Sequence, residues 1–147
     1  MENSIRERIL RVIFDRVKLA VNPLFAYVFR TPTIPISKDQ SPAIVISLES
    51  DEVVRQANDR VDHKLLIKII PVVRGIVSSV SQNEADLLLV AAHNELMKDV
   101  TFGGLATGFY EVSCDFEMED SDNTADIIPA KYAIEYRVLK KDMTKKG

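Results

Sequence analysis

The sequence predicts an α+β fold: two helices packed on one face of a mainly antiparallel sheet of four to five strands, in the order α-β-β-β-α-β-β. Two stretches carry apolar residues at helical spacing, each behind a Ser-x-x-Glu box (Ser4 to Glu7 and Ser81 to Glu84). Three others, near 61–70, 110–118 and 132–138, alternate in character with the period-two rhythm of a strand. Turn-forming residues separate these stretches, and no repeat or linker divides the chain. At 147 residues it is expected to form one domain over 1–147 and to bury roughly 70% of its unfolded surface.

In the first helix Ile5, Ile9, Val12, Ile13 and Ala20, flanked by Leu10, Phe14, Val17 and Val21, form a broad buried stripe, and Pro23 ends it. The run FAYVFR, 25–30, is aromatic and β-branched and reads as a strand. The prolines of TPTIPISKDQSP mark a loop, and 43–48 is the second strand. The polar segment ESDEVVRQANDR is expected to connect it onward. A third strand over 61–70, reaching toward Val77, points Val61, His63, Leu65, Ile67 and Ile69 one way and Asp62, Lys64 and Lys68 the other. Pro71 within it suggests a bulge or an edge position.

The second helix has the apolar face Ala85, Leu88, Leu89, Ala92 and Leu96 and stops near Lys98, a cation suited to the negative end of the helix dipole. Three of the five glycines then fall close together, at 103, 104 and 108. In the next strand Tyr110, Val112, Cys114, Phe116 and Met118 are expected inward, with Glu111, Ser113, Asp115 and Glu117 forming an acidic outer face. Residues 119–129 read as a mobile acidic loop. Tyr132, Ile134, Tyr136 and Val138 make a final strand, antiparallel to the one before, and 141–147 reads as a flexible basic tail.

The net charge is only −3, but it is unevenly spread. The acids Asp99, Glu111, Asp115, Glu117, Glu119, Asp120, Asp122 and Asp126 lie in a block free of Lys and Arg, while residues 1–18 and 131–147 are basic. Solvated loops and tails account for such patterning, and so do oppositely charged faces that meet in self-association. The acidic block argues against a nucleic-acid module, which wants aromatics on a basic face. No apolar run is long and uninterrupted enough to span a membrane: LLIKIIPVVRGIVSSV is broken by Lys68, Pro71 and Arg74. The charges mixed through the N-terminal segment and the single Cys114 suit synthesis in the cytoplasm.

Catalytic chemistry needs convergent groups, and few are present. His63 and His93 read as structural histidines, and with one Cys no zinc spacing exists. Asp115, Glu117 and Glu119 lack the glycine offset of a calcium loop. Gly103 to Gly108 makes G-x-x-x-x-G, but Phe109 and Tyr110 stand where a phosphate loop places Lys and Ser/Thr. The order is also helix then strand, so no helix N-terminus faces the loop. The cluster therefore reads as a turn, no cofactor and no metal is expected, and the chain is not read as an enzyme.

The segment AHNELMKDVTFGGLATGFYEV resembles the helix-to-strand segment of the tail terminator (tail completion) proteins of long-tailed bacteriophages and prophages. The matching positions are His93, Leu96, Met97, Asp99, Thr101, Gly103, Gly104, Leu105 and Ala106, with looser similarity at Pro42 to Val45 and in the closing YAIEYRVLKKD. The resemblance implies a non-enzymatic structural role: a ring, usually of six copies, that caps the head-proximal end of the tail tube, stops its polymerisation and offers the surface that joins the head. It implies as partners further copies of the chain, the tail tube protein and a head-completion or connector protein, with DNA only passing through the channel and no membrane. The place implied is the virion tail, after assembly in the host cytoplasm.

Glu117, Glu119, Asp120, Asp122, Asp126, Lys64 and Lys68 are the candidates for channel-lining or subunit-contact residues, and the strand over 61–77 is a candidate edge for pairing between copies. Two competing readings are another neck, connector or tube-associated ring protein, and a small α+β ligand-binding domain. The second would place polar residues in the inward register of its strands.

Overall fold

The computed structural model describes residues 2–30, 38–74, 78–115 and 125–147. Helix α1, Ile5–Val21, starts where expected, with the Ser4 hydroxyl accepting from the Glu7 N–H at 3.1 Å. Only this half of the capping box forms. The Glu7 carboxylate turns instead to Arg30, accepting from both guanidinium nitrogens at 2.6 and 2.7 Å, and to Arg11 at 3.1 Å. The Arg30 guanidinium is the main reason its carboxyl is held down at about 2. A 3-10 turn with Pro23, Asn22–Leu24, ends the helix. Phe25 follows in the left-handed region at φ 56, so strand β1 is shorter than expected, Tyr27–Arg30.

Strand β2, Ala43–Gln56, is much longer than expected. The segment read as a polar connector continues the strand, because β3, Arg60–Arg74, supplies a ladder partner along its length. Its polar side chains are tolerated because most of this half of β2 is exposed to water. Bulges after Leu48 and Val53 bend it. The two strands close through a short turn in which the Ala57 N–H donates to the Arg60 carbonyl at 2.9 Å.

Helix α2, Ser78–Leu96, begins a turn earlier than expected, so Ser81 lies inside it and does not cap it. Its face of Ala85, Leu88, Ala92 and Leu96 is buried as the spacing requires. The remaining strands are β4, Gly108–Cys114; β5, Ala125–Ile127; β6, Ala130–Leu139; and β7, Asp142–Lys146. The sheet runs β1-β2-β3-β6-β4, with β5 beside β3 and β7 beside β6. Its pairings are antiparallel apart from β1 with β2. The fold is thus α+β, but among the described residues the sheet has seven strands in place of four or five.

Both helices cover the same face, on a core containing Ile44, Ile46, Leu65, Ile67, Ile69, Tyr132, Ile134 and Tyr136. A smaller cluster of Ala43, Val45, Ile70 and Val72 lies on the opposite face, as strand alternation demands.

Three expectations about edges change. First, β3 is a central strand: β2 pairs with one side, and β6 and then β5 pair with the other. It therefore offers no edge to another copy. Pro71 is buried and opposite Ile44 with no bulge there, and its carbonyl accepts from the Ile128 N–H at 3.2 Å. The proline thus falls at the corner where the β3 ladder passes from β6 to β5, and no ladder bond is lost. Second, the basic tail is strand β7, held by Arg8 on the Thr144 carbonyl, Lys145 on Glu2 at 3.1 Å and Lys146 on the Gly104 carbonyl at 2.9 Å. Third, the C-terminal part of the expected acidic loop is strand β5, opposite 72–74 of β3; residues 119–124 lie outside the described residues.

A further polar group ties α1 to the middle of this sheet. Asp51 of β2 has a side chain only 13% exposed and accepts from Arg6 of α1 at 2.9 Å and from the Tyr136 hydroxyl of β6. His63 of β3 stands 3.0 Å from the other carboxylate oxygen and stacks on Tyr136 at 4.9 Å. Burial raises the Tyr136 hydroxyl above its ordinary value, so it stays protonated and able to donate.

Removing the acceptor leaves the buried Tyr136 hydroxyl and the His63 ring without their partner, while Arg6, 37% exposed, can turn to water. Asp51→Ala is therefore expected to destabilise the fold by about 2 kcal/mol, and Asp51→Asn by about half of that. Urea unfolding with an unchanged slope reads the difference; an Asp51→Ala midpoint equal to the parent's would contradict it.

Candidate functional site

The turn after α2 is built around Asp99. Its Oδ1 accepts from the Thr101 N–H at 3.0 Å and from the Thr101 hydroxyl at 2.6 Å, and its Oδ2 accepts from the Gly103 N–H at 3.0 Å. Arg16 of α1 donates to the same Oδ2 at 3.2 Å and to the Asp99 carbonyl at 3.0 Å. The Thr101 hydroxyl and the Gly103 and Thr101 N–H groups, with Arg16, hold the carboxyl far below the usual carboxylate range. Such a group is a fixed anion that organises a loop and cannot serve as a general acid near neutrality.

Gly103 and Gly104 sit at φ 74 and φ 87, where a Cβ would crowd the following carbonyl. Phe102, also left-handed at φ 50, is buried. Ala106 is buried, and Leu105 packs half-buried against the core. The six expected turn residues Asp99, Thr101, Gly103, Gly104, Leu105 and Ala106 are thus brought together.

From this turn an aromatic row runs into the fold. Arg16 lies over the Phe102 ring at 5.5 Å, Phe102 meets Phe109 edge-on at 5.1 Å, and Phe109 stacks on Tyr132 at 5.0 Å. Here the expected register of β4 is overturned. Phe109, opposite Ile134, is the buried residue, while Tyr110 and Val112 are exposed. A register shift between Glu111 and Ser113 leaves Cys114 half-buried. The alternation from Tyr110 onward suggested the opposite parity because it omitted Phe109, which the aromatic row pulls inward. Phe116 and Met118 lie outside the described residues.

Beyond Tyr132 the row opens into a cleft of about 310 Å³ between α2 and the β4–β6 pair. It is lined by Leu89, Val90, His93 and Asn94 of α2, by 111–114 of β4, and by Ala130, Lys131 and Tyr132 of β6. His93 places Nδ1 2.9 Å from the Tyr132 hydroxyl and Nε2 3.4 Å from a Glu111 oxygen. Burial raises the Tyr132 hydroxyl above its ordinary value, so it stays protonated beside Nδ1, and the imidazole bridges it to Glu111. Burial and the neighbouring Asp115 push the Cys114 thiol up, the reverse of what a nucleophilic thiolate requires. The cleft therefore offers an apolar floor and an oriented polar rim, and no activated nucleophile.

The other candidate residues are dispersed. Lys64 and Lys68 lie on the sheet face away from the helices: Lys64 stands between Glu52 and Glu135, and Lys68 between Ser47 and Lys131. Asp126 is opposite Val73, in the helix-facing register, so it does not join the two lysines. Glu117, Glu119, Asp120 and Asp122 lie outside the described residues. Arg16 and Asp51 were missed by sequence reasoning, because their partners are 83 and 85 residues away in Asp99 and Tyr136 and leave no local pattern.

Among the described residues no helix is long and apolar enough to cross a membrane. A scan against protein-family models and a search of curated proteins both returned no match to this chain.

The turn assignment separates two glycines. An added Cβ meets nothing within 4 Å at Gly103 and only ordinary contact with Glu135 at Gly108. Gly103→Ala is therefore expected to cost about 1 kcal/mol through its backbone angle alone, and Gly108→Ala to stay within about 0.5 kcal/mol of the parent. Equal costs in thermal or urea unfolding would contradict a left-handed Gly103.

Proposed function

We propose that this chain is a structural tail protein of the terminator kind. Its copies assemble as a ring, six by the resemblance, on the head-proximal end of a tail tube. The ring ends tube growth and presents the surface to which a head-completion or connector protein binds. DNA passes through it, no cofactor is used, and the protein belongs to the virion tail.

The observation that carries the reading is the turn over 99–106. Its match to the family pattern would mean little if the matching residues were scattered on the surface. Instead each has a job: Asp99 gathers two N–H groups and the Thr101 hydroxyl, Gly103 and Gly104 take left-handed angles, and Ala106 enters the core. The fold offers further support in its two different outer edges, β1 with the far half of β2 on one side and β4 with β7 on the other. A ring needs two unlike surfaces on each copy.

The cleft beside α2 favours the second reading, a ligand-binding domain, because Glu111 brings a polar group to the helix-facing side of β4.

Tube polymerisation separates the two. Purified tube protein from the same phage or prophage, polymerising with a small molar fraction of this chain, is expected to give tubes that stop short and do not resume when more tube protein is added. Tubes of unchanged length at saturating amounts of the chain would overturn the proposal.

A further inference from the structure

Phe25 is 85% exposed and holds φ 56, a left-handed backbone conformation that is unfavourable for a non-glycine residue. Asn or Gly would suit the position better in an isolated chain. The 3-10 turn before it, closed by the Phe25 N–H on the Asn22 carbonyl at 3.0 Å, fixes the backbone from which the ring projects. Leu19, in the last turns of α1, is 70% exposed as well, while Tyr27, 52% exposed and opposite Ala43, belongs to the sheet face away from the helices. Strain and exposure together at one aromatic residue are what an anchor for a partner looks like.

The opposite edge of the sheet carries a complement. The cleft by β4 has room for one aromatic side chain, and its walls include Val90 and Val112, both substantially exposed. It cannot receive the Phe25 of its own chain. Phe25 precedes β1, at one end of the order β1-β2-β3-β6-β4, and the cleft lies against β4 at the other. Helix α2 separates them as well: Leu87 borders a hollow with Leu24 and Pro42, whereas Val90 and His93 border the cleft. The fit is one of apolar shape: the charges of the cleft are met within the chain, Glu111 by His93 and Lys131 by Glu49, and Arg30 beyond Phe25 is taken by Glu7.

We propose that the cleft between α2 and β4 is a socket for Phe25 of a second copy of this chain, so that copies join head to tail. A patch and a pocket on different faces make a heterologous contact, which closes into a ring when the rotation between neighbours allows. The inference deepens the ring reading by naming the surfaces that meet. It also stands apart from the tail, because the contact can be read without tubes.

Cys114, the only cysteine, lines the cleft and serves as a reporter. In an Asn22→Cys variant the second thiol sits beside the intact Phe25. A short bis-maleimide, applied from micromolar to millimolar protein with and without tubes, is expected to give a ladder of multimers joined through positions 22 and 114, mapped by mass spectrometry. Adding Phe25→Asn should cut the ladder at least tenfold while leaving thermal stability equal or higher, since Asn accepts the left-handed angle; misfolding therefore cannot imitate the result. Three outcomes would overturn the proposal: links only between two copies of position 22, which mark a two-fold face; links insensitive to Phe25→Asn; or no links at any concentration, tubes included.

Discussion

Asp51 is a carboxylate largely withdrawn from water, in the outer half of β2 that the sequence dresses as a surface segment. Holding it there requires the Arg6 guanidinium from α1, the Tyr136 hydroxyl from β6 and the His63 ring from β3 to arrive together. With Arg6 37% exposed the ion pair itself contributes little net stability, yet losing the carboxylate leaves the buried Tyr136 hydroxyl without its acceptor. The carboxylate's effect is to fix register: β2 must run past Leu48, β3 must be central, and the start of α1 must lie across both. The elements that carry the proposed surfaces inherit their places from this arrangement. With α1 held down by Arg6 at its start and by Arg16 near its end, its C-terminal corner and Phe25 are fixed relative to β4 across the sheet.

The Asp99 turn plays the matching part on the other side. It reverses the chain from α2 into β4, and the aromatic row behind it, Phe102 to Phe109 to Tyr132, sets which face of β4 points inward. Glu111 and His93 are then left on the rim of a cleft. Arg16 belongs to both halves of the molecule, bonded to Asp99 and stacked over Phe102. A rigid body with an apolar projection at one edge and an apolar recess at the other follows from these contacts, and head-to-tail association is the use we assign to it.

Where side-chain rhythm is strong, the sequence was readable. Both helices, most of their buried stripes, the β3 alternation and the β6 alternation are where periodicity places them, and the glycine cluster is a turn; Val12, Ala20 and Leu89 are only half-buried. The errors at 49–56 and at the C-terminal end share one cause, which is that ladder partners outvote local polarity. The segment 49–56 looks like a connector because its residues are polar, but it has β3 to pair with and only one face to bury. The basic end looks frayed because it is rich in lysine, but β6, Arg8 and Glu2 give its backbone and charges somewhere to go. Pro71 signals an edge, and the fold meets that demand with a corner inside the sheet. Of the candidate site, only the turn was legible; the cleft joins residues from three distant segments, and Phe25 looked like the first residue of a strand.

The proposed role, ending a tail tube as a ring, can be seen by cryo-electron microscopy of tail tubes incubated with the purified chain. One ring is expected on one end of each tube, with neighbouring copies in a single repeated head-to-tail contact. Bare tube ends at saturating protein, or density scattered along the tube wall, would contradict it.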